Sequence, residues 1–134
     1  MNKQKVQVDK LFSIKDEFNK SIENLAINIY NRFLEKFELL GIGRNRIVFG
    51  SKNYVYKIPR NRMGFYDNSE EARLKDECYA ICRLILINDI PILVMERLDL
   101  NIDEKKLPIW VDFIDCQQVG LSKHGELKAY DYAT

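Results

Sequence analysis

The apolar residues of this 134-residue chain change their spacing at one point, and that change restricts what it can fold into. Before the change, Leu11, Ile14, Phe18, Ile22, Leu25, Ile29, Phe33 and Phe37 recur at intervals of three and four, the stripe of an amphipathic helix with one buried face. The stripe predicts a helix over 10–36, with Ser13, Asp16 and Glu17 offering side-chain oxygens to the free first-turn amides. From Leu39 onward the chain reads instead as β-branched and aromatic runs separated by turn residues, so helix and sheet must pack together in one α+β unit.

Gly41 and Gly43 precede the run Ile47-Val48-Phe49, which a Gly50-Ser51-Lys52-Asn53 turn joins to Tyr54-Val55-Tyr56-Lys57-Ile58 before Pro59; this is a hairpin pattern. A second helix is expected to start with Asn68 as cap and Glu71 three residues on, with Leu74, Cys78 and Ile81 on one face. Leu84 to Ile87 and Ile92 to Met95 then form two strands around a turn at Asn88-Asp89. Residues 97–108 are polar and read as a linker, and Trp110 to Gln118 has no firm period. The end is a hairpin, Gln118 to Leu121 and Glu126 to Tyr130 around Ser122-Lys123-His124-Gly125. The expected order is helix, three strands, helix, two strands, linker and hairpin: a mostly antiparallel α+β domain with helices packed on one twisted sheet.

With a mass of 15.8 kDa and 46% apolar residues, the chain has material for one core and is expected to be a single domain over 1–134. Its 21 basic and 20 acidic residues nearly cancel, which argues against a histone-like nucleic-acid binder. Cys78, Cys82 and Cys116 are joined by one histidine, His124, so neither a disulfide framework nor a Cys/His zinc site is expected and the thiols read as packing residues. The N-terminal stretch lacks the apolar core of a signal peptide, and the longest apolar runs fall far short of a span; a soluble, cytoplasmic protein without a membrane partner is expected.

Charge is nevertheless segregated. Gly41 to Met63 carries six basic residues (Arg44, Arg46, Lys52, Lys57, Arg60, Arg62) and no acidic one, whereas Gly64 to Thr134 carries eight basic and fourteen acidic. A basic, glycine-bearing hairpin facing carboxylates suits phosphate oxygens held between cations and a divalent metal. Mutual attraction of the two halves accounts for the same pattern equally well.

The succession of these segments resembles the N-terminal lobe of the protein kinases. Leu40 to Phe49 is similar to the glycine-rich strand-turn-strand over the ATP phosphates, with Gly41, Gly43 and Arg44 at the turn and Arg46 in place of the third glycine. Val55-Tyr56-Lys57-Ile58 is similar to the third-strand segment, which makes Lys57 the lysine on the α and β phosphates. Glu71 maps onto the glutamate that pairs with that lysine; capping toward Asn68 is its alternative role, and Glu77 the alternative partner. Ile92 to Leu98 resembles the fifth strand and hinge, with Met95 lining an adenine pocket beside Glu96. Gln118 to Ala133 resembles the hairpin that runs from the catalytic-loop asparagine to D-F-G, so Asp131 maps onto the magnesium aspartate and Gln118 onto the ligand of a second ion. The position of the catalytic base falls on Phe113, flanked by Asp112 and Asp115, of which Asp112 is the first candidate. The resemblance thus implies ATP with Mg²⁺ as cofactor.

The chain departs from the family between Arg97 and Gln118, where residues 99–117 replace a whole helical lobe with its H-R-D loop. This reduced pattern is similar to small proteins encoded by tailed bacteriophages, which implies the host-cell cytoplasm. The expectation is a kinase-like domain of the pseudokinase type with a nucleotide or anion cleft, acting mainly by binding a host or phage protein. Two alternatives stay open: a small active phosphotransferase using Lys57, Glu71 and Asp131, and an RNA- or protein-binding module whose basic hairpin contacts phosphates. The exposed face of the long helix also allows a homodimer.

Overall fold

The computed structural model of the chain describes residues 11–12, 19–76, 78–101 and 119–130. Helix α1 (Lys20–Lys36) starts where the Asn19 side chain accepts the Ile22 amide at 2.9 Å and ends where Phe37 turns extended. Lys36 in its last turn complements the helix dipole. The single helix expected over 10–36 does not hold, because Asn19 is extended (φ −69°, ψ 161°) and caps a helix that begins at Lys20; the cap expected at Ser13 lies outside the described residues.

Five strands form one antiparallel sheet: β1 (Glu38–Ile42), β2 (Arg46–Gly50), β3 (Tyr54–Pro59), β4 (Cys82–Ile87) and β5 (Ile90–Glu96), in the spatial order β1-β2-β3-β5-β4. Helix α2 (Arg62–Arg73) connects β3 to β4, and β6 (Val119–Leu121) pairs with β7 (Leu127–Ala129) as a separate hairpin. The expected element order and the α+β class both hold. Asn88 and Asp89 make the β4–β5 turn with φ of 50° and 66°, the left-handed conformation a two-residue hairpin requires and the one these side chains tolerate.

Because side chains alternate across a strand, each face of the sheet has its own partner. Ile47, Phe49, Ile58 and Ile92 join Ala26, Ile29 and Tyr30 of α1 in the larger core, which also takes in Leu11 and Phe12. Phe33 packs edge-on against both Phe49 and Tyr56, with ring centroids 5.7 and 5.6 Å apart. Leu93 and Met95 face the other way and share a second core with Ala80, Cys82, Val119 and Ala129. That second core fastens the β6–β7 hairpin to the sheet.

Two further expectations need correction. The second helix starts at Arg62, with the Asn61 side chain accepting the Gly64 amide at 2.9 Å, and Asn68 lies fully buried in its middle. Its inward face is Gly64, Asp67, Asn68 and Glu71, a polar stripe that apolar periodicity cannot reveal. Leu74, Cys78 and Ile81 lie beyond its end, and Ile81 is 73% exposed. The first residues of the polar 97–108 segment are held to the hairpin: the amides of Asp99 and Leu121 donate to each other's carbonyls at 2.7 and 2.8 Å, bonds that depend on backbone alone, while 102–108 lie outside the described residues. Among the described residues, no helix is long and apolar enough to cross a membrane.

Candidate functional site

Helix α2 presents Asn68 and Glu71 to the sheet one turn apart. The Asn68 amide donates to the Lys57 carbonyl and to the Pro91 carbonyl, both at 2.9 Å, which pins the helix across β3 and β5. One turn later Glu71 is completely buried. Its Oε1 lies 2.9 Å from Lys57 Nζ, and its Oε2 pairs with the Arg46 guanidinium, which also donates to Asn68 Oδ1. Burying a carboxylate without a partner is costly, so these contacts are what make Glu71 tolerable there. Two cations share one anion.

Lys57 Nζ makes a further contact, 2.5 Å to the backbone carbonyl of Tyr130 at the end of β7. The ammonium therefore ties three elements together: its own strand, helix α2 and the terminal hairpin. Val48 and Val55 lie beside it on the same side of the sheet, since Val48 pairs directly with Lys57 and Val55 is two residues away.

In front of this group opens a cleft of about 980 Å³. Its roof is Leu40, Gly41 and Ile42 of β1 with Gly43 of the following turn, and its floor reaches Lys57 and Tyr130. Gly43 is shaped by local closure, its amide donating to the Arg46 carbonyl at 2.8 Å. The far wall is Met95, Glu96 and the extended chain from Arg97 to Asn101. Arg97 holds the outer rim by donating to the Ser51 carbonyl at 2.9 Å. Along this wall the amides of Glu96, Arg97 and Asp99 donate to the carbonyls of Ile81, Asn53 and Leu121, whereas the Leu98 amide meets no partner among the described residues.

The structure therefore brings together Gly41, Gly43, Lys57, Met95 and Glu96 around one cavity, with Glu71 directly behind Lys57. The capping role considered for Glu71 is excluded, because the helix start is at Asn61. The Glu96 carboxylate turns away to accept the Ile81 amide at 2.5 Å. Arg44 is exposed at the turn and does not line the cleft, and Arg46 serves Glu71 from behind. Asp131, Gln118, Asp112, Asp115 and Glu77 lie outside the described residues, although Tyr130, which immediately precedes Asp131, is on the cleft floor. Among the described residues, no group of three or more His, Cys, Asp or Glu could hold a metal ion.

Sequence reasoning missed Lys52, Tyr130 and the 99–101 segment as cleft residues. Lys52 sits in a turn and carried only a basic charge as signal; Tyr130 contributes a carbonyl, which no side-chain pattern encodes. Comparison with family models, with curated proteins and with solved structures finds no match to this chain.

Proposed function

We propose that this chain is a reduced kinase-like domain whose cleft binds a nucleotide, ATP with Mg²⁺, and that it acts mainly by presenting the bound form to a protein partner of the host or phage. The observation that carries the reading is the glycine-edged cleft of about 980 Å³ with Lys57, held by Glu71, at its inner end. The Lys57 ammonium suits an anionic group placed at that end, and Glu71 holds the ammonium in position for it. The apolar surface of Val55, Met95 and Leu98 suits a flat base, and the Leu98 amide, without a partner among the described residues, suits a base nitrogen. Asp131 and Gln118 are the residues that would hold magnesium, through the carboxylate and amide oxygens such an ion prefers.

Binding is favoured over phosphoryl transfer on one ground. Residues 99–117 are too few for a helical substrate platform, and correct placement of two reactants supplies as much as about 7–11 kcal/mol of a barrier. Without it, Asp112 or Asp115 acting as base has little to work on.

A thermal-shift titration tests the reading. ATP with Mg²⁺ at a hundred times its Kd should stabilise the fold by about 2.7 kcal/mol through mass action. Gly41→Val is the informative variant: a Cβ at Gly41 meets nothing within 4 Å, so the larger side chain projects into the cleft at little cost to folding. The shift should vanish in Gly41→Val and weaken in Asp131→Asn. A wild-type melting temperature unmoved by millimolar ATP and Mg²⁺ overturns the proposal.

A further inference from the structure

Strand β4 is an outer edge of the five-stranded sheet, and among the described residues no strand pairs with its outer side. Such edges are ordinarily blunted by a bulge, a proline or several charges, because their free N–H and C=O groups template another strand. β4 reads Cys82-Arg83-Leu84-Ile85-Leu86-Ile87, apolar but for Arg83, and pairs residue for residue with β5 without a bulge. The opposite edge, β1, is interrupted by a bulge between Leu39 and Gly41. Leu84 and Leu86 share one face of β4 and remain 36% and 66% exposed. Their backbone groups face outward as well. The Glu96 amide donates to the Ile81 carbonyl at 2.9 Å, and bonded and unbonded pairs alternate along an antiparallel ladder. Arg83, Ile85 and Ile87 therefore turn their N–H and C=O toward β5, and Leu84 and Leu86 turn theirs out of the sheet. Pro91, opposite Leu86, has no N–H to give, as this phase requires. The Cys82 carbonyl is taken by Lys75 Nζ at 2.9 Å, which leaves Leu84 and Leu86 as two complete donor and acceptor sets on the edge.

We infer that β4 docks on β4 of a second copy of this chain, antiparallel about a two-fold axis through Ile85, so that the two sheets continue into one. In that register Leu84 lies opposite the partner's Leu86, and Leu86 opposite the partner's Leu84. Each pair exchanges two backbone bonds, which satisfies every outward group of the two residues, and the four leucines cover one another. An axis through Leu84 would instead set Leu86 against the partner's Cys82, whose carbonyl is already taken. Charge complementarity selects a second copy over a foreign strand. Arg83 comes opposite the partner's Ile87, two positions from the partner's Asp89, and both charged residues are exposed. The axis generates this pair twice, so the one cation on the edge meets an acid supplied by the same sequence.

The test is sedimentation of the full chain over a concentration series, together with amide hydrogen exchange. The chain should dimerise with a Kd of about 10 μM, as suits a small interface. Above that concentration the Leu84 and Leu86 amides should exchange about tenfold more slowly, whereas those of Arg83 and Ile85, already bonded to β5, should not change. Leu86→Lys alters an exposed side chain, leaves the monomer folded and should abolish the dimer by charging its edge. Arg83→Glu should weaken association about tenfold, and adding Asp89→Lys to it should restore the wild-type value. A dimer that survives Leu86→Lys, or forms without new protection at Leu84 and Leu86, lies on another surface, such as the exposed face of the long helix, and overturns the inference. A chain still monomeric at about 1 mM overturns it too; protection of the two amides by an added alternating Val-Lys peptide would then assign the edge to a foreign strand. None of these readouts depends on the nucleotide cleft.

Discussion

Lys57 and Glu71, fourteen residues apart, meet at 2.9 Å in a position from which water is almost wholly excluded, and Arg46 closes on the opposite oxygen of the same carboxylate. The three form one electrostatic unit on which the sheet, helix α2 and the terminal hairpin converge.

Removing the anion should therefore do more damage than removing either cation. Glu71→Ala takes the shared carboxylate away from two buried cations and should cost about 3–5 kcal/mol. Arg46→Met leaves a matched Lys57–Glu71 pair and should cost less than half as much. Urea midpoints of the two variants check this order; equal losses would mean that Arg46 contributes as much to the balance as Glu71 itself.

Asn68 makes a similar contrast with Asn19. Asn68→Ala strands the buried carbonyls of Lys57 and Pro91 and should cost about 2–4 kcal/mol, since each lost bond leaves an unsatisfied group. Asn19→Ala removes an exposed helix cap and should cost about 1 kcal/mol. Thermal unfolding of both variants measures the gap. If Asn68→Ala costs no more than Asn19→Ala, the bridge across β3 and β5 is not holding the helix.

These residues also show what could be read ahead of the structure. The strands were legible because each alternates apolar residues between turn signals, and α1 because its stripe faces a core. The Lys57–Glu71 pairing was legible only through order and spacing, with capping as an equal competitor. Helix α2 was misread at its start because the face it buries is Gly64, Asp67, Asn68 and Glu71, so the usual apolar marker is missing. The Tyr130 backbone contribution was not legible, because a carbonyl has no letter of its own. Arg46 reads in the sequence as a basic residue of the phosphate-facing hairpin standing where a third glycine is expected, whereas its position on β2 makes it the second cation on Glu71.

Two glycines should respond oppositely to a single methyl group. A Cβ at Gly64 would strike the Asn45 carbonyl and Pro59, so Gly64→Ala should destabilise by about 1–3 kcal/mol or more. Gly41 has open space and no left-handed φ, so Gly41→Ala should be neutral or stabilising by up to about 1 kcal/mol through loss of chain entropy in the unfolded state. Chemical denaturation of the pair gives the signs directly. Destabilisation of both would show that β1 cannot accommodate a side chain at Gly41, and would remove the premise of using Gly41→Val to block the cleft.

The core beneath α1 should confer a specific sensitivity to alkali. Tyr30 is 6% exposed, edge-on to Phe12 and tilted against Phe49, and burial raises its phenol above the ordinary value of 10.0. Charging the ring there is disfavoured by loss of hydration. The folded chain thus keeps this proton at a pH where the unfolded chain has released it. With fewer protons bound in the unfolded state, stability falls as pH rises; the contribution is whole below about pH 10 and is lost as pH climbs through the raised folded value. Tyr30→Phe deletes that titration while keeping the ring. Urea midpoints from pH 7 to pH 11 should decline more steeply for wild type than for Tyr30→Phe, and the two should run parallel below about pH 9. Identical slopes throughout would mean that the phenol is hydrated in the native state, and that α1 does not seal this end of the core.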